Sequence, residues 1–118
     1  MKLLMMGALF LLMFAGFPSH MRKELFRLAG AKCEQCTRTW GQGWMLEMHH
    51  KKPLSLGGEN TLNNGICLCR QCHLKAHEKL FKEAKRKGDG RATNVNAHAI
   101  RLLKDTIKRK GLKRYGFE

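Results

Sequence analysis

The sequence predicts an α+β fold, a small ββα unit stapled by a four-cysteine zinc site and flanked by helices. Three observations carry that prediction. Two C-x-x-C clips, Cys33/Cys36 and Cys69/Cys72, stand 32 residues apart. Between them lie two short apolar runs joined through a Gly-Gly turn, and a helical pattern begins at the second clip. At 118 residues the chain makes one domain at most, with a thin core, so a metal staple suits its length.

In chain order, residues 1–20 form an apolar segment, 21–90 the metal-stapled core and 91–118 a basic helix and tail. Residues 3–17 are almost wholly apolar behind Lys2, as in the core of a signal peptide. The run is short of the roughly 20 residues that span a membrane. No small-x-small pair follows cleanly, and Phe17-Pro18 interrupts, so the cleavage site is poor. Two readings stay open: export or membrane association through residues 1–20, or an extension not native to the protein, with Met21 as an ordinary start.

Residues 22–29 read as a short helix with Leu25, Phe26, Leu28 and Ala29 as its apolar positions, ended by Gly30. Residues 37–43 are a polar, glycine-bearing loop. Residues 44–49 read as a strand, in which Trp44, Leu46 and Met48 alternate with Met45, Glu47 and His49 until Pro53 stops it. Gly57 to Asn60 make a turn, and Gly65 to Leu68 the returning strand, with Cys67 as a small hydrophobe. A helix follows over about 71–87, broken by Gly88-Asp89-Gly90. Asn94 or Asn96 caps a last helix running to about Lys110. Its stripe is Ile100, Leu103 and Ile107; its polar face is Arg101, Lys104, Lys108 and Arg109.

The clips carry the first chemistry. Thiolates are soft ligands, and zinc accepts four of them tetrahedrally. A redox C-x-x-C is disfavoured by the presence of two pairs and the lack of a βαβ pattern. The histidines are left for a second task. His73 and His77, four apart on a helix, share a face, a spacing that alone more often marks a solvated surface. Here His73 follows Cys72 directly, so the zinc fixes where that helix starts. His49 and His50 are strand neighbours and point to opposite faces unless the strand twists or ends there. His49, His73 and His77 can then hold a divalent cation and leave His50 as a base, since neutral imidazole suits proton abstraction. Glu47 reads as a strand surface residue, His20 and His98 as solvent-exposed. Trp40, Gln42 and Trp44 read as packing beside the zinc.

The net charge of +14 comes from 23 Lys and Arg against 9 Asp and Glu. Such an excess points to a polyanion, nucleic acid ahead of an anionic membrane, against the plainer alternative of a solvated basic surface.

The runs LEMHHKKPLSLGGE (46–59) and LNNGICLCRQCH (62–73) closely resemble the motif of the zinc-containing HNH endonucleases. The His-His-x-x-Pro and His-x3-His elements also resemble the nuclease domains of colicin-type bacteriocins. The resemblance covers about residues 33–77. It implies a ββα-metal (HNH, His-Me finger) fold and hydrolysis of phosphodiester bonds in DNA, leaving a 5′-phosphate and a 3′-hydroxyl. It makes His50 the general base, and gives Asn64 the task of supporting the loop and orienting the His50 ring through a hydrogen bond. It makes His73 a metal ligand, His49 a ligand where aspartate is common, and His77 a further helical ligand. The cofactors are a structural Zn2+ on Cys33, Cys36, Cys69 and Cys72, and a catalytic divalent ion: Mg2+, Mn2+, Ni2+ or Zn2+. Imidazole ligands weigh against magnesium, which prefers oxygen.

DNA is the expected partner, with no small-molecule cofactor, and nothing in the chain sets an oligomeric state. Lys51, Lys52, Arg101, Lys104, Lys108 and Arg109 are the expected phosphate grips. Removal of the chain after about Gly90 should then weaken DNA binding and leave the metal site unchanged. Gly65 stands where a bulky apolar residue is usual, which should loosen the second strand. A non-catalytic zinc-stapled DNA-binding module is one alternative, although it has no need of His50, Asn64 and His77 together. An exported nuclease toxin is another. A stand-alone nuclease of a phage or mobile element fits the length, and thiolate ligands favour the cytoplasm of a bacterial or phage-infected cell over a membrane-anchored or secreted location.

Overall fold

A computed structural model describes residues 16–114. The apolar run expected at 3–17 therefore lies outside the described residues, apart from Gly16 and Phe17. Among the described residues the order is helix α1 (Ser19–Leu28), strand β1 (Leu46–His50), strand β2 (Gly65–Cys69), helix α2 (Arg70–Lys87) and helix α3 (Gly90–Lys110), with three short 3-10 turns between. The two strands form an antiparallel hairpin in register from Leu46↔Cys69 to His50↔Gly65. No helix among the described residues is long and apolar enough to cross a membrane.

The core is small, as the length requires. Ala29, Leu46, Cys67 and Leu68 pack against Cys33, Cys69 and Cys72, so the hydrophobic cluster and the thiol cluster are one body. Cys67 is fully buried in β2, where a small hydrophobe was expected. Burial of Leu25, worth about 1.5–3 kcal/mol for a leucine, docks α1 on the hairpin, with Ala29 buried just past its end. Leu28, expected on that face, is 59% exposed; Leu25 and Ala29 already fill the i, i+4 stripe. Helix α1 also begins at Ser19 rather than residue 22, directly after Pro18 in the extended conformation.

Helix α2 begins one residue after Cys69, whose Sγ accepts the Cys72 N–H and caps the helix. The second cysteine clip and the helix start are thus one piece of structure, and they place His73 in the first turn. Gly88 in the left-handed region ends α2, and α3 folds back along it. Asp89, not Asn94 or Asn96, caps α3, its Oδ1 accepting from Ala92 N at 3.0 Å. Asn96 lies about two turns further in and is 1% exposed.

Gly65 is not a weakness in β2. A Cβ there would stand 2.6 Å from Leu25 Cδ1 and 3.0 Å from Phe17 Cζ. The missing side chain is replaced by Leu25 from α1 and by Phe17, two residues before that helix. Gly58 answers a different need, since a Cβ there would overlap the Lys52 carbonyl in the turn that joins the strands.

Candidate active site

The four clip sulfurs lie within 4.8 Å of one another, and Cys36 Sγ is 3.6 Å from Cys69 Sγ. Sulfurs on a tetrahedral zinc, at bonds of about 2.3 Å, stand about 3.8 Å apart, so the donor set fits that ion. Each clip has the same local geometry: the second cysteine's N–H donates to the first cysteine's Sγ at 3.4 Å, Cys36 to Cys33 and Cys72 to Cys69. Burial works against ionising Cys33, but N–H donors from Cys36, Cys69 and Gln35 bring it down to about 7. Burial raises Cys69 and Cys72, and neighbouring thiols add to the rise for Cys72. Cys67 stands outside the cluster and is pushed up to about 12, by burial first and then by Glu34, Cys33 and Cys69. It is a neutral packing thiol.

The second cluster is His49 from β1 with His73 and His77 from α2. Their ring centroids are 5.0, 4.7 and 5.1 Å apart, and one nitrogen of each lies within 4.8 Å of the others. Burial, and then the charges of His73, His77 and His50, push His49 down to about 3. It stays neutral where an ordinary histidine would protonate, which keeps a lone pair available to a cation. His77 is also lowered by burial, partly opposed by its hydrogen bond to Asn96.

Two of the rings are oriented from behind. His73 Nδ1 is 3.0 Å from Glu47 Oε1, and His77 Nδ1 is 2.9 Å from Asn96 Oδ1. Both partners are acceptors, so each Nδ1 carries the proton and each Nε2 presents its lone pair, the usual way a metal-binding imidazole is fixed. Glu47 is therefore not the strand surface residue expected of it. It lies on the His49 face, bonds His73 and accepts from Arg70 Nε at 3.2 Å. Burial alone would raise its carboxyl, but His73 and Arg70 hold it below the usual range. Arg70, 7% exposed, also donates to the Gly111 carbonyl at 2.9 Å. The sequence carried a signal for Glu47, two residues before His49 and so on its face. It carried no local signal for Asn96.

His50 points away from that trio, as strand alternation requires. Its Nε2 is 2.7 Å from Asn60 Oδ1, and its ring is stacked on Phe17 with centroids 3.8 Å apart and planes 8° from parallel. The expected Asn64 bond to this ring is corrected here. Asn64 Oδ1 accepts from Lys52 N at 2.9 Å, and its Nδ2 donates to the Lys52 and Glu59 carbonyls at 3.0 and 2.9 Å. Lys51 N also donates to the Asn64 carbonyl at 2.8 Å. Asn64 thus closes the loop below the strands with both amide protons and its oxygen turned to the loop backbone, and Asn60 takes its place at the imidazole.

Lys51, Lys52, Arg101, Lys104, Lys108 and Arg109 are all exposed, and Arg109 pairs with Asp105 at 2.9 Å. A cleft of about 500 Å³ lies beside the first two, with Lys87 and Arg91 also on its wall. Arg91 further donates to the Ser55 carbonyl at 2.8 Å. Trp44 lies under the Arg38 guanidinium at 4.1 Å, and Trp40 under that of Arg114 at 3.7 Å. The tail after α3 returns to this region through Met45 N to the Leu112 carbonyl at 3.2 Å and Arg114 N to the Gly43 carbonyl. The expectation that the chain after Gly90 could be removed without harm to the metal site is therefore overturned. That segment supplies Asn96 to His77 and Gly111 to Arg70.

Comparison with known proteins bears on residues 33–79, which match the family model of the HNH endonuclease. A 32-residue stretch is 50% identical to the type IV methyl-directed restriction enzyme EcoKMcrA of Escherichia coli (strain K12). That stretch is 27% of this chain and 12% of the relative's length. No solved structure matches the chain.

Proposed function

We propose that this chain, which carries an HNH endonuclease segment at residues 33–79, is a metal-dependent endonuclease that hydrolyses phosphodiester bonds in DNA. The observation that carries the proposal is the convergence of His49, His73 and His77, with His50 beside them on the same strand. His50 takes the proton from the attacking water; its Nε2 is engaged by Asn60, which leaves Nδ1 for that task. His49, His73 and His77 would hold a divalent ion, which when bound supplies Lewis-acid stabilisation of charge on the phosphate oxygens. Glu47 and Asn96 keep the Nε2 atoms of His73 and His77 facing inward. Asn64 holds closed the loop that carries Asn60 and the lysine pair. Lys51 and Lys52, exposed next to His50, attract the phosphate backbone. Cys33, Cys36, Cys69 and Cys72 hold zinc and keep the strand and helix in register. The restriction-enzyme relative supports DNA as substrate, and the thiolate cluster supports a reducing cytoplasm.

The test is plasmid nicking by the purified chain with chelator and with a series of divalent metals. His50→Ala is expected to cut turnover by about 10²–10⁴-fold with metal affinity nearly intact. His73→Ala is expected to weaken metal binding itself. Wild-type nicking by His50→Ala would sink the assignment of the base. DNA binding with no nicking in any metal would point instead to a non-catalytic module.

A further inference from the structure

We infer that Phe17 and Asn60 are positioning residues for His50: the phenyl ring supports one face of the imidazole, and the amide oxygen holds Nε2–H so that Nδ1 faces the water. The inference rests on His50 being the base. It names two side chains that the sequence motif does not contain, one of them, Phe17, outside the matched residues 33–79.

The stack is close and nearly parallel, 3.8 Å between centroids at 8°. Phe17 is 2% exposed, whereas His50 is only half-buried. The phenyl ring therefore lies beneath the imidazole as a floor; a lid would be the more exposed of the two. Gly65 is what admits it. This glycine is paired with His50 in the ladder, and any side chain on it would meet Leu25 and Phe17. Phe17, two residues before α1, thus reaches the underside of the base through the space that Gly65 leaves.

The second contact fixes the proton. The Asn60 oxygen at 2.7 Å only accepts, so His50 Nε2 is the donor and the lone pair sits on Nδ1. Rotation of an imidazole about its second torsion is soft. A stack alone accepts the ring or its 180° flip about that torsion, and one hydrogen bond alone leaves the ring free to tilt. Together they hold one nitrogen in one direction, and proton transfer needs a heavy-atom approach of about 2.6–3.2 Å.

The experiment uses the full chain, supercoiled plasmid and excess Mn2+, with Phe17→Leu, Asn60→Ala and His50→Ala. Phe17→Leu and Asn60→Ala are expected to lower kcat by about 10- to 100-fold, with KM for plasmid and Ni2+ affinity unchanged. Nitrogen-15 NMR of histidine-labelled, zinc-loaded protein should show His50 as the Nε2–H form in the wild type and as a mixture in Asn60→Ala. That readout does not depend on turnover or on the fate of the Phe17 variant. Wild-type kcat in both Phe17→Leu and Asn60→Ala, an unchanged tautomer in Asn60→Ala, or a faster Phe17→Leu enzyme would each overturn the inference. If His50→Ala keeps its activity, the base assignment is what fails. If His50→Ala is inactive while the other variants match wild type, the positioning roles alone fail.

Discussion

At His77, one buried amide decides which ring nitrogen is free. Asn96 is 1% exposed, and its oxygen meets His77 Nδ1 at 2.9 Å while its Nδ2 donates to the Ala92 carbonyl at 2.9 Å. A polar group this deep costs about 1–3 kcal/mol if unpaired, so the pair holds both partners in place. Asn96→Leu should therefore lower Ni2+ affinity at the histidine cluster by about 10–100-fold, with the zinc content of the cysteine site unchanged. Calorimetric titration of zinc-loaded protein checks it, and unaltered Ni2+ affinity would contradict the tautomer argument. The members of the two clusters were legible, because Cys-x-x-Cys pairs and an i, i+4 histidine pair are local spacings. Glu47 was half-legible, sharing the face of His49 by alternation. Asn96, Asn60 and Phe17 were not, since each reaches its histidine from 10 or more residues away. Sequence spacing carries no record of such approaches.

Among the elements, α3 has two faces with separate duties. Ile100, Leu103 and Ile107 are half-buried, and Arg101, Lys104, Lys108 and Arg109 are exposed. The amphipathic stripe was readable from period alone, as was the ββα order. The helix start was not, because Asp89 sits inside a Gly-Asp-Gly run that reads as a plain break. Truncation near Gly90 would remove the docking face, the basic face and Asn96 together, so it cannot isolate the charges. Replacing Arg101, Lys104, Lys108 and Arg109 by Gln can. If these residues touch phosphates, binding to plasmid should weaken, and the slope of log affinity against log salt should flatten by about 0.9 per lost contact. Equal slopes for the two proteins would assign the basic face to solubility. The Asp105 partner already neutralises part of Arg109, so the loss should be smaller than four full contacts.

Over the whole molecule, the cysteine site does the work that a larger core would do elsewhere. The second clip caps α2, and the first holds the loop that pairs with β2 through Glu34 N to the Cys67 carbonyl at 2.9 Å. Cys36→Ser should remove the tightly bound zinc and either unfold the chain or lower its melting temperature strongly. Elemental analysis with thermal denaturation under reducing conditions checks both parts, and a wild-type melting curve without zinc would refute the staple. The hairpin, the clips and α2 could be foreseen because they follow one another in the chain. The seating of α1 under Gly65 and the return of the tail to Gly43 could not, because they join distant segments. The Asn96–His77 bond has a last consequence, for transplantation. A shuffling event or a protein engineer that moved only residues 33–79 into a new host chain would carry every ligand across. The graft would still lack the amide that sets His77, and the host would have to provide a substitute before the three rings could be held as they are here.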